Sequence, residues 1–268
     1  MSLHSTPFMR YLLFFLLFTN TVSALSIKRD TLYIKDSKDP KKVLFRVTDD
    51  NTKFLLEEGT LYEGHKEGTW RTYFDNKIIA TVVEYKGGRR NGLTLTFASD
   101  ATLLTEEYYV DDVKEGLTRK FSRAHKIKEE SKYRNGILNG IQYIYNNDGQ
   151  MQEQAHYTNG VRDSINIWYY PSGKMMIEYT YVQNNLNGPS KAFYENGSLK
   201  SEGSFSEAKE TGLWKFYSDK GKLSESGNFV NGQTNGVWNS YNDDGILIKT
   251  QEFKDGNFVK ERNITPKK

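Results

Sequence analysis

Cysteine is absent from the 268 residues. That excludes a disulfide framework, a thiolate zinc site and a thiol nucleophile, and it leaves no cysteine to carry a lipid anchor. Apolar residues are also few, 37% of the chain, and 18 Tyr and 15 Phe supply much of that share. A core drawn from this stock is thin and aromatic. No sign of charge dominates: 37 basic residues are mixed along the chain with 34 acidic ones, for a net +3. There is accordingly no basic stripe for nucleic acid, and charge gives no support to contact with an anionic membrane surface. The longest apolar run, Tyr11–Phe18, is too short to cross a bilayer.

That run follows Arg10 and precedes "TNTVSA", which sets small residues at Val22 and Ala24 as a cleavage site requires. Residues 1–24 therefore read as a secretory signal peptide cut after Ala24, with Met9 as an alternative start. The mature chain is expected to be secreted or periplasmic.

A catalytic constellation is missing too. His65, His125 and His156 stand at unrelated places and read as solvated surface histidines, while His4 lies in the signal segment. No nucleophile elbow, phosphate loop or zinc-type spacing occurs. Glu106-Glu107 and Glu129-Glu130 are neighbours on strands, so they face opposite ways and cannot work as a carboxylate pair. Asn and Asp in "YNNDG" (145–149), "YNDDG" (241–245) and Asp111-Asp112 invite calcium. Calcium needs several carboxylates around one point; most turns here offer one or none, and turn geometry accounts for these residues. No enzymatic activity, metal or cofactor is expected.

What the chain does have is a period. Gly68, Gly92, Gly116, Gly140, Ser164, Gly188, Gly212 and Gly236 stand 24 residues apart. Relative to these anchors, aromatics recur five residues after and seven before. Interleaved, they are Tyr73, Tyr85, Phe97, Tyr109, Phe121, Tyr133, Tyr145, Tyr157, Tyr169, Tyr181, Phe193, Phe205, Tyr217, Phe229, Tyr241 and Phe253, one at every twelfth residue. With aromatics at 14% of the chain, chance does not produce such a ladder. The chain is a repeat protein.

Aliphatic residues recur one after the anchor (Leu93, Leu117, Ile141, Ile165, Leu213, Val237) and eleven after it (Ile79, Leu103, Ile127, Met151, Met175, Leu199, Leu223, Leu247). All these offsets are odd. Side chains alternate along a strand, so odd offsets are expected to share one face, and each unit reads as two strands. One turn carries Asn135-Gly136, Asn159-Gly160, Asn231-Gly232 or Asp255-Gly256; the other ends in Gly149, Gly173, Gly197, Gly221 or Gly245. Folding at the Gly-ended turn pairs the ring at five with the aliphatic at eleven. Folding at the Asn-Gly turn is expected to pair the leading ring with the aliphatic at one. The ladder rings are then structural, because a lone hairpin cannot bury its face.

This phrase, near Y-x-N-G-x-x-x-G-x-W-x-x-Y-x-x-x-G-x-L, resembles the MORN repeat in its bacterial variant form, a family often labelled antitoxin. The resemblance runs from about Gly59 to Phe258, with Trp in the family's place only at Trp70, Trp214 and Trp238. It implies an all-β fold: an elongated single-layer antiparallel sheet of tandem 24-residue β-hairpin repeats. The expected organisation is capping strands at 25–58, eight repeats and a partial ninth at 59–262, and a frayed tail at 263–268. The signal peptide argues against a cytoplasmic antitoxin.

One irregularity points to a surface. Four residues after the anchor, on the face expected to be polar, stand Ile144, Trp168, Ala192 and Phe216, and the fifth unit adds Tyr170 and Met176. Exposed apolar groups mark contacts, which makes Ile144, Trp168, Tyr170 and Phe216 a candidate partner-contact stripe. A bulge that reverses facing, or cover by the N-terminal segment, is the competing explanation. Two functions remain: an exported non-enzymatic scaffold contacting another protein or an envelope component, and a cell-surface module binding a glycan or choline through its rings.

Overall fold

A computed structural model describes residues 29–265; the expected signal peptide lies outside them. Every regular element among the described residues is a strand, and 22 strand segments form one antiparallel sheet. The sheet is a meander, each strand pairing with its neighbours in the chain from Arg29–Lys35 to Asn257–Asn263. Two rungs are broken in two. Val113–Lys114 and Gly116–Phe121 both pair with Leu103–Val110, and Val161–Arg162 and Ser164–Tyr169 both pair with Met151–Thr158. The single-layer hairpin architecture implied by the resemblance is the one observed. The strands Arg29–Lys35 and Lys42–Asp49 extend the sheet ahead of the first anchor.

Turn chemistry fixes the register. The Asn-Gly turns need two successive left-handed residues, which Asn135 (φ 52°) and Gly136 (φ 77°) supply. The same conformation recurs where the sequence signal is fainter, at Glu207 (φ 50°) and Ala208 (φ 61°). The second residue of each such turn donates its N–H to a carbonyl one hairpin back, as Gly136 does to Lys114 and Gly160 to Leu138, both at 2.8 Å. One long edge of the ribbon is thereby laced together. At the opposite edge a single left-handed residue closes each turn, and ring meets aliphatic as expected: Tyr73 faces Ile79, Tyr145 faces Met151 and Tyr217 faces Leu223.

Facing departs from the parity argument. Just past each of those ring–aliphatic pairs the second strand carries one extra residue, so that Ile144 faces Glu153 while Tyr145 faces Met151 and Gln152 is left over. This bulge reverses every side chain beyond it. The rings five after the anchor thus share one face with the aliphatics at one. The leading rings lie on the other face, opposite the anchor, as in Gly68 with Tyr85 and Gly92 with Tyr109. The leading ring consequently faces a residue of the next hairpin, Arg90 for Tyr85, instead of Leu93. The aliphatics at one point outward and are exposed at Leu117, Ile165, Leu213 and Val237.

The inner face is defined by the residue two after the anchor, buried at Trp70, Thr94, Thr118, Asn166, Ser190, Trp214 and Trp238. With no second layer among the described residues, this face is covered by its own side chains. At three places an indole lies flat on a glycine eleven residues earlier. A Cβ on Gly59, Gly203 or Gly227 would sit 2.2, 2.2 or 2.1 Å from Cδ2 of Trp70, Trp214 or Trp238. Each indole N–H donates to the carbonyl beside its glycine, at 3.1 Å to Thr60, 3.2 Å to Ser204 and 3.2 Å to Asn228. Where the indole is missing the glycine is missing too: Val83 precedes Thr94, Ala155 precedes Asn166 and Tyr179 precedes Ser190.

Gly203→Ala is therefore expected to cost about 1–3 kcal/mol by overpacking. In a Trp214→Ser background, which removes the ring that the new methyl meets, the same change is expected to be close to neutral. Denaturant melts of the four proteins in this cycle check the coupling; equal costs in both backgrounds would contradict it.

Candidate interaction surfaces

Rings run along the inner face in two blocks. The first links Tyr33, Phe45, Trp70 and Tyr85 at centroid separations of 5.4, 5.2 and 6.2 Å. The second runs from Trp168 through Tyr179, Phe205, Trp214, Phe229, Trp238 and Phe253 to Phe258, with neighbours 5.0–6.4 Å apart. Between the blocks each leading tyrosine is capped by a cation across the hairpin: Arg90 over Tyr109 at 3.9 Å and Lys114 over Tyr133 at 4.9 Å. Half-buried and exposed polar pairs complete this middle stretch. Lys114 binds Glu107 at 2.6 Å, Lys120 binds Glu129 at 2.8 Å, and Arg162 binds both Glu153 and the Tyr157 hydroxyl.

The stripe residues fall on this inner face, where the bulge puts them. Phe216 is stacked between Trp214 and Trp238 at 6.1 and 6.2 Å. Trp168 meets Tyr179 edge-on and lies 5.5 Å from the Arg162 guanidinium. Tyr170 is a turn residue whose hydroxyl donates to the Phe193 carbonyl at 2.8 Å, a stitch repeated by Tyr194 to Tyr217. Ile144 and Trp168 come together on open space. A hollow of about 570 Å³ is lined by Ile144, Lys120, Lys128 and Glu129 among others, and an adjoining one of about 320 Å³ by Ile144, Gln152 and Trp168. The four stripe residues are thus not one strip; two of them flank a groove, one is stacked and one is a turn staple.

Part of the outer face carries charge in register, flanked in the same row by the uncharged Val82 and Leu95 on one side and Ser226, Asn239 and Thr250 on the other. Along its central row, strand after strand, stand Glu106, Arg119, Glu130, Tyr143, Gln154, Ile167, Glu178, Lys191, Glu202 and Lys215. Arg119 bridges Glu106 and Glu130 at 3.2 and 2.9 Å. The ring five after the anchor donates its hydroxyl into this row: Tyr73 to Glu58 at 2.9 Å, Tyr145 to Glu130 at 3.1 Å and Tyr217 to Glu202 at 2.8 Å. Burial and then the bond to the carboxylate push the phenols of Tyr145 and Tyr217 up to about 12.

No group of three or more His, Asp or Glu side chains able to hold a metal ion occurs among the described residues. His125 occupies a left-handed turn position (φ 59°) and His65 lies exposed beside another turn. His156 departs from the expected solvated state, with its Nδ1 buried and unpartnered. The Gly–Trp pairs stand eleven residues apart in the sequence, and the cation caps nineteen.

Comparison with known proteins places the repeat. A family model described as the MORN repeat variant matches residues 138–159, 162–183, 186–207 and 210–231, segments that begin 24 residues apart. No curated protein matches the chain. A matching solved structure is that of a mutant S. aureus TarM in complex with fondaparinux, alpha-GlcNAc-glycerol and UDP. It shares 12% identity over 68% of this chain and 21% of that one, with a TM-score of 0.14. The chain spans about a fifth of that protein's length, and the likeness is too slight to carry over fold or function.

The two phenols tie alkaline stability to the outer face. A tyrosine titrates near 10 when unfolded, and a raised folded value means the native state holds the proton longer. Their contribution is present below pH 10 and is lost as pH rises towards 12. Tyr145→Phe and Tyr217→Phe are each expected to remove one late-ionising phenol from the ultraviolet titration of the folded protein, and a titration left unchanged by both would contradict the assignment.

Proposed function

Four tandem repeats of the MORN variant family make up residues 138–231, and from that premise we infer that this chain is an exported, non-enzymatic interaction module. Its partner is a protein or an envelope component, held along the sheet without chemistry. The observation that carries this reading is the groove on the inner face, where Ile144 and Trp168 stand beside the exposed side chains of Lys128 and Gln152. It lies in the stretch where ring-on-ring packing gives way to polar pairs, so it offers apolar and hydrogen-bonding groups together. Export rests on the signal-peptide pattern of residues 1–24.

The alternative, a glycan or choline module, needs rings standing free as cage walls. Trp70, Trp214 and Trp238 are instead buried flat on glycines, which favours the protein-contact reading. A photo-crosslinking residue at Gln152 in the natively expressed chain is expected to trap a macromolecule in the envelope fraction, on a protein whose N-terminus is Leu25. A probe at the outward-facing Val237 serves as the control. Crosslinks absent at Gln152, or equal at both positions, would overturn the groove assignment; an intact Met1 or Met9 would overturn export.

A further inference from the structure

The ribbon ends in two open edges. Among the described residues, Arg29–Lys35 pairs only with Lys42–Asp49, and Asn257–Asn263 only with Leu247–Lys254. Hydrogen bonding alternates along an antiparallel strand. Asp36 donates to the Lys42 carbonyl at 3.0 Å, so in this register Lys35, Tyr33 and Thr31 turn their N–H and C=O groups to the open side. At the far end Ile264 donates to the Ile248 carbonyl at 2.8 Å, which leaves the backbone groups of Glu261 and Asn263 pointing outward. Large apolar groups stand at both edges: Tyr33 is 60% exposed with Leu32 beside it, and Phe258 55% with Val259 beside it. Unpaired edges of this kind are templates for another strand.

We propose that these two edges bind each other, so that copies of this chain join head to tail into a longer ribbon. Three features fit one end to the other. The first is direction. The 22 strand segments make twenty rungs, since two rungs are broken in two. Strand direction alternates over this even number, so the first and last strands run opposite ways. A second copy set end to end, its inner face on the same side, continues the antiparallel order. The second feature is the ring column, which reaches both edges, as Phe253 and Phe258 at 6.0 Å and as Tyr33 and Phe45 at 5.4 Å. Tyr33 placed opposite Phe258 joins the two ringed blocks into one. The third is side-chain chemistry. Asn257–Asn263 carries an extra residue at Val259, between Phe258 opposite Phe253 and Lys260 opposite Glu252. A second copy's Arg29–Lys35 that takes the register of Leu247–Lys254 brings Thr31 opposite Glu261 and Asp30 opposite Arg262. Hydroxyl then meets carboxylate on the inner face, and opposite charges meet on the outer one, at a non-hydrogen-bonded pair where side chains lie closest. Within its own chain the Asp30 carboxylate has Lys53 at 4.0 Å. A contact between two different edges does not close on itself, so the product is an open series. Both edges lie apart from the groove, and their failure to join leaves the groove reading intact.

The test is sedimentation velocity of the natively processed full chain, which is expected to show dimers and longer species that grow with concentration. Thr31→Pro removes an outward N–H without costing a bond to Lys42–Asp49, and Phe258→Lys puts a charge into the ring column. Each is expected to stay folded and to lose association. Mixed, they are expected to stop at a one-to-one dimer, because each blocks a different edge. Asp30→Arg and Arg262→Asp place like charges opposite one another; each is expected to be monomeric alone, and the two to grow again when mixed. This second pair answers the question if either of the first two variants does not fold. A parent chain that stays monomeric, a closed dimer that does not grow, association that persists in the folded single variants, or mixtures that stay monomeric would overturn the proposal.

Discussion

A sheet one strand thick has no second layer to cover it, and every other feature of this protein follows from that constraint. One face must be shielded by side chains that belong to the sheet itself. The solution is a large ring laid flat on a backbone that carries no Cβ. At Trp70, Trp214 and Trp238 the indole takes the space a side chain would occupy on Gly59, Gly203 and Gly227, and its N–H satisfies a neighbouring carbonyl. Leading rings such as Phe205 and Phe229 then pack edge-on against these indoles. Each such pair is worth about 0.5–1.5 kcal/mol beyond area burial, and a nearest-neighbour chain of them gives the ribbon its continuity.

The glycine notch also shapes the backbone. Where an indole is present, the pairing irregularity between units sits at the glycine, between Glu58 and Thr60, Glu202 and Ser204, or Ser226 and Asn228. Where it is missing, the irregularity moves one residue on, to Glu84, Lys132 or Thr180. The anchor glycine changes with it, from φ of 67–73° at Gly68, Gly212 and Gly236 to 120–123° at Gly92, Gly140 and Gly188, while the two anchors of the broken rungs, Gly116 (76°) and Ser164 (61°), keep the smaller angle without an indole. The middle of the ribbon thus replaces ring packing by cation caps and half-buried ion pairs, and that is where the groove opens. Such pairs contribute little when exposed and stabilise only when fully satisfied.

Much of this was legible in the sequence, and the rest failed for one reason. The 24-residue period, the two turns and the pairing of the ring at five with the aliphatic at eleven follow from spacing and turn chemistry alone, because both are local. Which face a residue takes is not local. A single bulge residue in each second strand, such as Gln152, reverses everything beyond it, so the ladder that reads as one face is split between two. Ile144, Trp168 and Phe216 therefore looked like intrusions on a polar face when they belong to the ringed one. The correct facing was encoded in the co-occurrence of Gly and Trp eleven residues apart. Only three units carry that signal, and it has meaning only once the indole is known to lie on the glycine.

The central claim is that ring cover on the inner face, not hairpin formation alone, holds each part of the ribbon. Amide hydrogen exchange resolved strand by strand tests this most directly. If the claim is right, protection is higher in the ringed strands from Leu199 to Lys254 than between Ile127 and Thr158, although the backbone pairing is alike in both. Equal protection along the whole sheet, or a maximum in the polar middle, would contradict it.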